Sequence, residues 1–427
     1  MSSRVDRRTW IALAGSGVAG FAFGQKAKDK RPITGIADEK LAPLDDHFHG
    51  FLKEHKLPGL AVALARKGKL VYSRGFGSAN PEKKLPMQPN SQFRIASISK
   101  CITSTAIFQL IEKKLLTLDT PLLDVLTQKP FLAAKAKVDP RWKKATVKHA
   151  LQHSFGHDRD ASGDPIADIW GVAKAMGTTP PLSTDQLTRY ILGLKLDFEP
   201  GEKYAYGNLG YLLLGKIIEK LTKKRYGDAI KDSIWTPLKV TTASLARGTP
   251  PNRPKAEVAY LDTPGNTGTS LYPPTVGQTV PTPDGGSNIE AYDSFGGWVC
   301  SAIDLVRFAR TFDDPKASPL LKAESITAMW ARPEFENGGK PKPTYYGCGW
   351  NVREIDGDKG LTTWHYGLLS GVSTVLVRRF DGFCWAILLN ADYLPGTKTE
   401  IAGEVAESLH DVVDGIRDWP ETDQFRN

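Results

Sequence analysis

Phe93-Arg94-Ile95-Ala96-Ser97-Ile98-Ser99-Lys100 is the stretch of sequence on which the prediction of the fold depends. From Ile98 onward, apolar residues recur at three- and four-residue spacing as far as Leu110 and Leu115, which is the period of an α-helix. Because the apolar face is broad, we expect this helix to be substantially buried. Ser97 and Lys100 stand three residues apart at its first turn, and this spacing places their side chains on one face.

Strands are predicted on both sides of this helical region, toward the two ends of the chain. An early helix at about residues 41–55 is followed by strands at 60–65 and 70–74, with a glycine turn between them. Near the other end, strands at 345–352, 361–365, 372–378 and 384–390 precede a helix at about 399–416. The residues between carry helical periodicity at 147–153, 184–194, 209–221, 226–234 and 301–312.

This order of elements predicts an α+β fold. One antiparallel sheet is built from both chain ends and flanked by helices, and an all-α lobe is inserted between them. We place the sheet lobe at about residues 41–96 and 341–417 and the helical lobe at about 97–340, within one domain of residues 25–427. The cleft between the lobes is the expected site. Residues 249–297, rich in Pro, Gly, Thr and Asn, are predicted to form a long ordered loop at its mouth.

Composition and charge exclude several classes of protein. The 427 residues are 41% hydrophobic and include only four cysteines, which rules out a disordered chain or a disulfide scaffold. No run approaches the roughly 20 apolar residues that a membrane-spanning helix needs, so we expect no stable span in the mature chain. The net charge is +9, but seven basic residues lie within the first 31, and the others are mixed with acidic residues. Nucleic acid is therefore not an expected partner.

The first 24 residues are typical of an export signal. Arg7-Arg8 precedes Trp10 and an apolar stretch that ends at Phe23, which is too short to span a bilayer and suits a twin-arginine signal peptide. We expect the protein to be exported to the periplasm or beyond. An uncleaved tail or anchor is the alternative.

The sequence does not indicate a metal site or a cofactor. Cys101, Cys300, Cys348 and Cys384 have no CxxC spacing, although a disulfide between the last two, both in predicted strands, stays open. The histidines at positions 47, 49 and 55 lack the other members of a ligand set, so they are interpreted as a polar helix face.

Three short motifs, each occurring once, carry the chemistry. A serine hydroxyl becomes a good nucleophile when a base removes its proton, and Lys100 can act as that base for Ser97 if burial lowers its pKa. In Tyr206-Gly207-Asn208, the phenol can relay or accept the proton of the nucleophile, and the amide can hold a substrate carbonyl or the lysine amine. In His365-Tyr366-Gly367, the glycine lets substrate approach a strand edge. Taken singly, each motif also has a structural interpretation.

Together, SxxK, YxN and HxG in this order resemble the motifs of the penicillin-recognising serine hydrolases, specifically the class C β-lactamase-related group with its esterases and D-amino peptidases. The resemblance implies Ser97 as the acylated nucleophile, Lys100 as its base or proton shuttle, Tyr206 as general base and acid, and Asn208 as a substrate contact. It implies that His365 and Gly367 bind substrate as part of the third motif, and that the backbone amides of Ser97 and Leu368 form an oxyanion hole.

The expected activity is hydrolysis of an ester or small amide through an acyl-enzyme, without a metal or cofactor, on a small-molecule ester, amide or peptide. The family often has Lys where His365 stands, and a neutral histidine holds a carboxylate less well. This favours ester or small-amide hydrolysis over the alternatives, β-lactamase or D-amino peptidase and carboxypeptidase activity. A catalytically silent binding module of the same fold also stays open. The sequence has no GxSxG motif, so an α/β-hydrolase is disfavoured. A thiol hydrolase that uses Cys101 and His365 is also disfavoured, because Cys101 falls within an apolar helical pattern.

Overall fold

The structure is a computed structural model that describes residues 31–335, 342–355 and 360–426. The signal peptide predicted for residues 1–24 lies outside this range and stays a prediction. Within the described residues, no helix combines the length and apolar character needed to cross a membrane.

The main architectural feature is a nine-stranded antiparallel sheet. Its strand order is β1-β3-β2-β14-β13-β12-β11-β10, and β4 pairs with β3. The strands are β1 (Ile33–Gly35), β2 (Gly59–Arg66), β3 (Lys69–Asn80), β4 (Leu85–Pro86), β5 (Gln92–Arg94), β6 (Ser244–Leu245), β7 (Thr267–Thr269), β8 (Thr279–Pro281), β9 (Trp298–Ser301), β10 (Thr344–Tyr346), β11 (Asn351–Ile355), β12 (Gly360–Leu369), β13 (Val372–Arg378) and β14 (Phe383–Leu389). The two chain ends meet where β2 pairs with β14, with Leu60 opposite Leu389. This confirms the predicted fold class.

The α-helices of the described residues fall mainly between the two sets of strands. They are α1 (Ala42–Glu54), α2 (Ser99–Glu112), α3 (Leu122–Val125), α4 (Val147–Leu151), α5 (Arg159–Ser162), α6 (Ile169–Ala175), α7 (Thr184–Ile191), α8 (Leu209–Thr222), α9 (Tyr226–Ile230), α10 (Asp293–Gly296), α11 (Ala302–Ala309), α12 (Ala323–Met329) and α13 (Ile401–Gly415). Helix α2 is almost wholly buried, as its apolar pattern predicts. It ends before Leu115, which is 49% exposed.

Both faces of the sheet are covered, and the side chains of each strand alternate between the two faces. On β2, Leu60, Val62 and Leu64 belong to a core formed with α1 and α13. The intervening Ala61 and Ala63 belong to the larger core shared with the helical insertion. The small alanine side chains allow α11 to pack against β2 and β14. Because both faces are buried, the sequences of these strands are nearly continuous apolar runs.

Two parts of the structure differ from the sequence expectation. The predicted strand at 345–352 is two strands, β10 and β11, which pair with each other across a turn. Gly349 in this turn has a φ of +84°, and its carbonyl oxygen accepts a hydrogen bond from Cys101 Sγ at 3.0 Å. The inserted region is mainly helical, but it also contributes to the small sheet β5-β9-β6 and forms the hairpin β7–β8. These strands have two to four residues each, too few for an alternating pattern to show.

The segment 249–297 is ordered by contacts with the strand that precedes Ser97. Arg94 is 1% exposed, and its guanidinium donates hydrogen bonds to the carbonyl oxygens of Pro283 and Arg247, both at 2.9 Å. The hydroxyl of Tyr260 accepts a hydrogen bond from the Arg94 backbone amide at 2.8 Å. The loop is thereby attached to the base of α2. Its last part, with Tyr292 and Gly296, lines the cavity described next.

Candidate active site

Ser97 lies in a single 3₁₀ turn, Ala96–Ile98, between β5 and α2. Ala96 has a φ of +48°, a left-handed conformation that costs an L-residue roughly 1–2 kcal/mol. From residue 91 to residue 100, Ser97 alone is partly exposed, while its neighbours are buried. The strained turn therefore presents one hydroxyl to the cavity at the start of a buried helix.

Lys100 is fully buried and holds three hydrogen bonds through Nζ. The distances are 3.1 Å to Ser97 Oγ, 2.9 Å to Asn208 Oδ1 and 3.0 Å to the carbonyl oxygen of Phe295. Burial, opposed by Asp164, lowers the pKa of Lys100 to about 7, because an ammonium loses its hydration in the interior. Near neutral pH, a substantial fraction of the amine is therefore unprotonated and lies beside the serine hydroxyl.

Tyr206 and Asn208 enter the site from the loop before α8. Tyr206 lines the cavity together with Ser97, and burial raises the pKa of this phenol to about 12, against a smaller lowering by Ser97. Asn208 accepts the hydrogen bond from Lys100 and donates one through Nδ2 to Asp164 Oδ2 at 3.1 Å. The first two motifs thus form one connected network around Ser97, as the resemblance implies.

His365 lies at the same cavity, but its two ring nitrogens already have partners. Nδ1 lies 2.6 Å from the carbonyl oxygen of Tyr366, and Nε2 lies 2.9 Å from the Tyr346 hydroxyl. Burial, and secondarily the charge of Lys100, lowers the pKa of His365 to about 3. The ring is therefore neutral, with Nδ1–H donating to the carbonyl and Nε2 accepting from the phenol. It supplies no free cation for a substrate carboxylate.

Gly367 and Leu368 bring β12 against the serine turn. A Cβ atom on Gly367 would lie 2.4 Å from the carbonyl oxygen of Ile95 and 2.3 Å from Thr374 Oγ1. Only glycine allows this approach. Leu368 follows on the strand and lines the cavity together with Ser97, which is where the resemblance places the two oxyanion amides.

The cavity has a volume of about 400 Å³ and brings in residues that the motifs did not indicate. Arg159 lines one wall, with its guanidinium carbon 5.2 Å from the centre of the Tyr206 ring. Asp164, Tyr346 and Glu400 also line it. These residues reach the cavity through tertiary packing. Tyr346 falls within the predicted strand at 345–352, but the sequence gave no sign that it lies at the site.

The other candidates from the sequence lie elsewhere or have structural partners. Cys101 is buried, and desolvation raises the pKa of its thiol well above the usual value, so it does not serve a thiol mechanism. All four cysteines are free and buried, and Cys348 and Cys384 do not form the disulfide that was left open. Across the described ranges, no group of three or more His, Cys, Asp or Glu side chains could hold a metal ion.

This arrangement, a partly exposed serine hydrogen-bonded to a buried lysine, with a tyrosine on the same cavity at the junction of an antiparallel sheet and a helical insertion, defines a protein of the β-lactamase and transpeptidase fold. The Beta-lactamase family model matches residues 44–409, and the chain belongs to that family. It is 23% identical over 365 residues to Protein flp of Staphylococcus aureus strain N315, a match that covers 85% of this chain and 66% of flp. The chain thus spans just under two thirds of that relative.

Two solved structures show the same fold. The D-amino acid amidase from Ochrobactrum anthropi SV3 superposes with a TM-score of 0.63 at 20% identity, covering 87% of this chain and 98% of the amidase. EstCE1, described as a hydrolase with promiscuous acyltransferase activity, superposes with a TM-score of 0.63 at 20% identity, covering 88% of this chain and 99% of EstCE1.

Proposed function

We propose that the protein is a serine hydrolase that cleaves an ester or small amide through an acyl-enzyme on Ser97. The observation that carries this proposal is the 3.1 Å hydrogen bond between Lys100 Nζ and Ser97 Oγ, in a site where the pKa of the lysine is about 7. An unprotonated amine within hydrogen-bond distance is what a serine nucleophile requires.

The reaction proceeds in two halves. Lys100 Nζ takes the proton of Ser97 Oγ as the oxygen attacks the substrate carbonyl, and the backbone amides of Ser97 and Leu368 stabilise the oxyanion. Collapse of this intermediate breaks the bond to the leaving group, which receives the proton through the Tyr206 hydroxyl. Water then attacks the carbonyl of the acyl-enzyme, and the same groups transfer the protons in the reverse direction. This half releases the acid and restores Ser97. Because its pKa is about 12, Tyr206 acts as a phenol that relays the proton, and Lys100 is the resting base.

The third motif supports a substrate without a carboxylate beside the scissile bond. Both His365 nitrogens are occupied by Tyr346 and Tyr366, and the ring is neutral, so it offers little binding energy to an anion. One observation favours the second candidate, β-lactam or carboxypeptidase activity. Arg159 is a cation on the cavity wall, and its side chain is 42% exposed. A substrate carboxylate would bind there instead.

The test is intact-mass measurement after incubation with a fluorophosphonate, a penicillin and a p-nitrophenyl ester. We expect labelling by the fluorophosphonate and acylation by the ester, with no adduct from the penicillin. The matched variant Ser97→Ala should lose both adducts and hydrolyse the ester at least about a thousandfold more slowly. Persistent penicillin adducts would favour the second candidate, and absence of every adduct would favour the silent binding module.

Lys100 and Tyr206 are expected to work as one unit with Ser97. Lys100→Ala and Tyr206→Phe should each lower ester turnover, and the double variant should lose little more than the worse single variant, because residues of one relay are not additive. Losses that multiply independently would contradict a shared proton relay.

A further inference from the structure

His153, which lies in the turn after α4, has an unusual backbone conformation. Its φ is +55°, and the side chain is buried, with 2% exposed. In the described part of the chain, the other non-glycine residues with positive φ are seven lysines and Ala96, the residue next to the nucleophile. Non-glycine residues persist in this conformation where the surrounding structure holds them, and they cluster at functional sites.

The conformation directs both the carbonyl and the ring of His153 at the loop that carries Tyr206. The His153 carbonyl oxygen accepts a hydrogen bond from the Ala205 amide at 2.8 Å. Its Nδ1 accepts a hydrogen bond from the Gly207 amide at 3.4 Å. The imidazole ring lies against the Tyr206 ring, with centroids 4.4 Å apart. One residue thus binds the backbone immediately before and immediately after Tyr206.

The remaining ring nitrogen shows that packing alone does not account for a histidine here. Nδ1 accepts a hydrogen bond, so the neutral ring carries its proton on Nε2, and Nε2 is buried without a hydrogen-bond partner. Desolvation lowers the pKa of His153 well below its usual value, which keeps the ring neutral. An unpaired buried donor is destabilising, and phenylalanine would fill the same space without it. The acceptor at Nδ1 is what phenylalanine lacks.

We propose that His153 is a positioning residue for the hydrolytic reaction: by binding the loop on both sides of Tyr206, it holds Tyr206 and Asn208 in register with Ser97 and Lys100. This inference rests on the proposed function, and it adds a residue that none of the three motifs contains. Its side chain acts through the loop and does not itself contact the reacting atoms.

The test compares variants that keep different parts of the imidazole. His153→Asn places an acceptor near the position of Nδ1 and tolerates positive φ, whereas His153→Gln places its polar end near Nε2, and His153→Phe keeps only the ring. We expect kcat for a p-nitrophenyl ester to fall about ten- to a hundredfold in the Phe and Gln variants, the size of loss that a small misplacement causes. His153→Asn should retain most of kcat, and KM should change little throughout.

His149→Phe is the matched control. His149 Nδ1 also accepts a hydrogen bond from a backbone amide, that of Thr146 at 3.3 Å, but at the start of α4 and outside the cavity lining. This variant should lower Tm and leave kcat at the wild-type value.

The outcomes separate the two proposals. Wild-type kcat in His153→Phe or His153→Gln, or an equal loss in His153→Asn, overturns the positioning role while the hydrolase function stands. If the wild-type chain neither hydrolyses the ester nor reacts with a fluorophosphonate, the proposed function falls, and the positioning role falls with it. If the Phe variant does not fold, the Asn and Gln pair decides, because the two side chains differ in which ring nitrogen they replace.

Discussion

The pH dependence of acylation follows directly from the burial of Lys100. A lysine at its ordinary pKa of 10.5 would be unprotonated in about one molecule in 3,000 at pH 7. With the pKa lowered to about 7, about half of the molecules carry the free amine at that pH. The acylation rate should therefore rise with pH, pass half of its maximum near pH 7 and level off above it. The assay is the pre-steady-state burst of p-nitrophenolate, followed by stopped flow across the neutral range.

Two neighbouring charges allow the sign of this dependence to be tested. Asp164 raises the pKa of Lys100 and Arg159 lowers it, so Asp164→Asn should move the midpoint of the acylation profile to lower pH, and Arg159→Gln should move it to higher pH. The asparagine keeps an acceptor for the Asn208 amide. Glu82→Gln is the control, since Glu82 is exposed and lies outside the cavity lining, and it should leave the midpoint in place. A midpoint that stays fixed in both charge variants would refute the assignment to Lys100.

The same pKa can be measured without any substrate. Between about pH 7 and pH 10.5 the unfolded chain binds a proton at Lys100 that the folded chain does not, so the unfolding free energy should increase with pH across this window. Lys100→Met keeps a buried side chain of similar length and removes this contribution. An unchanged slope of unfolding free energy against pH in Lys100→Met would contradict the lowered pKa.

Other consequences of the structure can be tested as directly. Gly367→Ala should abolish most ester turnover and lower Tm, because its Cβ would lie 2.4 Å from the Ile95 carbonyl oxygen and would push β12 away from the serine turn. Arg94→Ala should lower the unfolding free energy by about 1–3 kcal/mol in chemical denaturation, since it leaves the carbonyls of Pro283 and Arg247 without the Arg94 donor, while Glu257 keeps the Arg253 guanidinium 3.8 Å away; Arg94→Lys should recover only part of this loss. The four cysteines are free and buried, so a thiol reagent such as DTNB should react with all four in denaturant and with none in the native protein, and rapid native labelling would show that the cores open.

The fold could be predicted wherever apolar patterns were long. Strands from the two chain ends stood out because both faces of the sheet are buried, and β13 has the predicted bounds, Val372–Arg378. Short strands such as β5 and β6 could not be predicted, because two or three residues give no pattern and their pairing with β9 is set by tertiary packing. The turn at Gly349 could have been predicted from Gly347 and Gly349, which flank Cys348 inside the predicted strand, because glycines inside a strand pattern indicate a bulge or turn.

Only the residues of the three motifs and their immediate neighbours could be predicted as site residues from the sequence. Ser97 and Lys100 share a helical turn, so their proximity follows from spacing, whereas the contact between Lys100 and Asn208 joins residues 108 positions apart. The partners of His365 show what a motif leaves out. Its position in the third motif implies contact with substrate, which stays a prediction, and the motif gives no sign that Nε2 pairs with Tyr346 on another strand.

Burial acts in opposite directions on the two ionisable partners of Ser97, and this separates their roles. It lowers the pKa of the Lys100 amine to about 7 and raises the pKa of the Tyr206 phenol to about 12, so that both groups are favoured in their neutral forms. The resting site can therefore hold a free amine beside the serine hydroxyl and a neutral phenol, with none of the three groups charged. Charge appears when Ser97 attacks, as an ammonium on Lys100 and an oxyanion on the substrate. The ammonium then forms inside a shell of oxygens already in place, Asn208 Oδ1 and the Phe295 carbonyl. Because these acceptors need no reorientation, they stabilise the transition state more than the ground state, which is the requirement for catalysis.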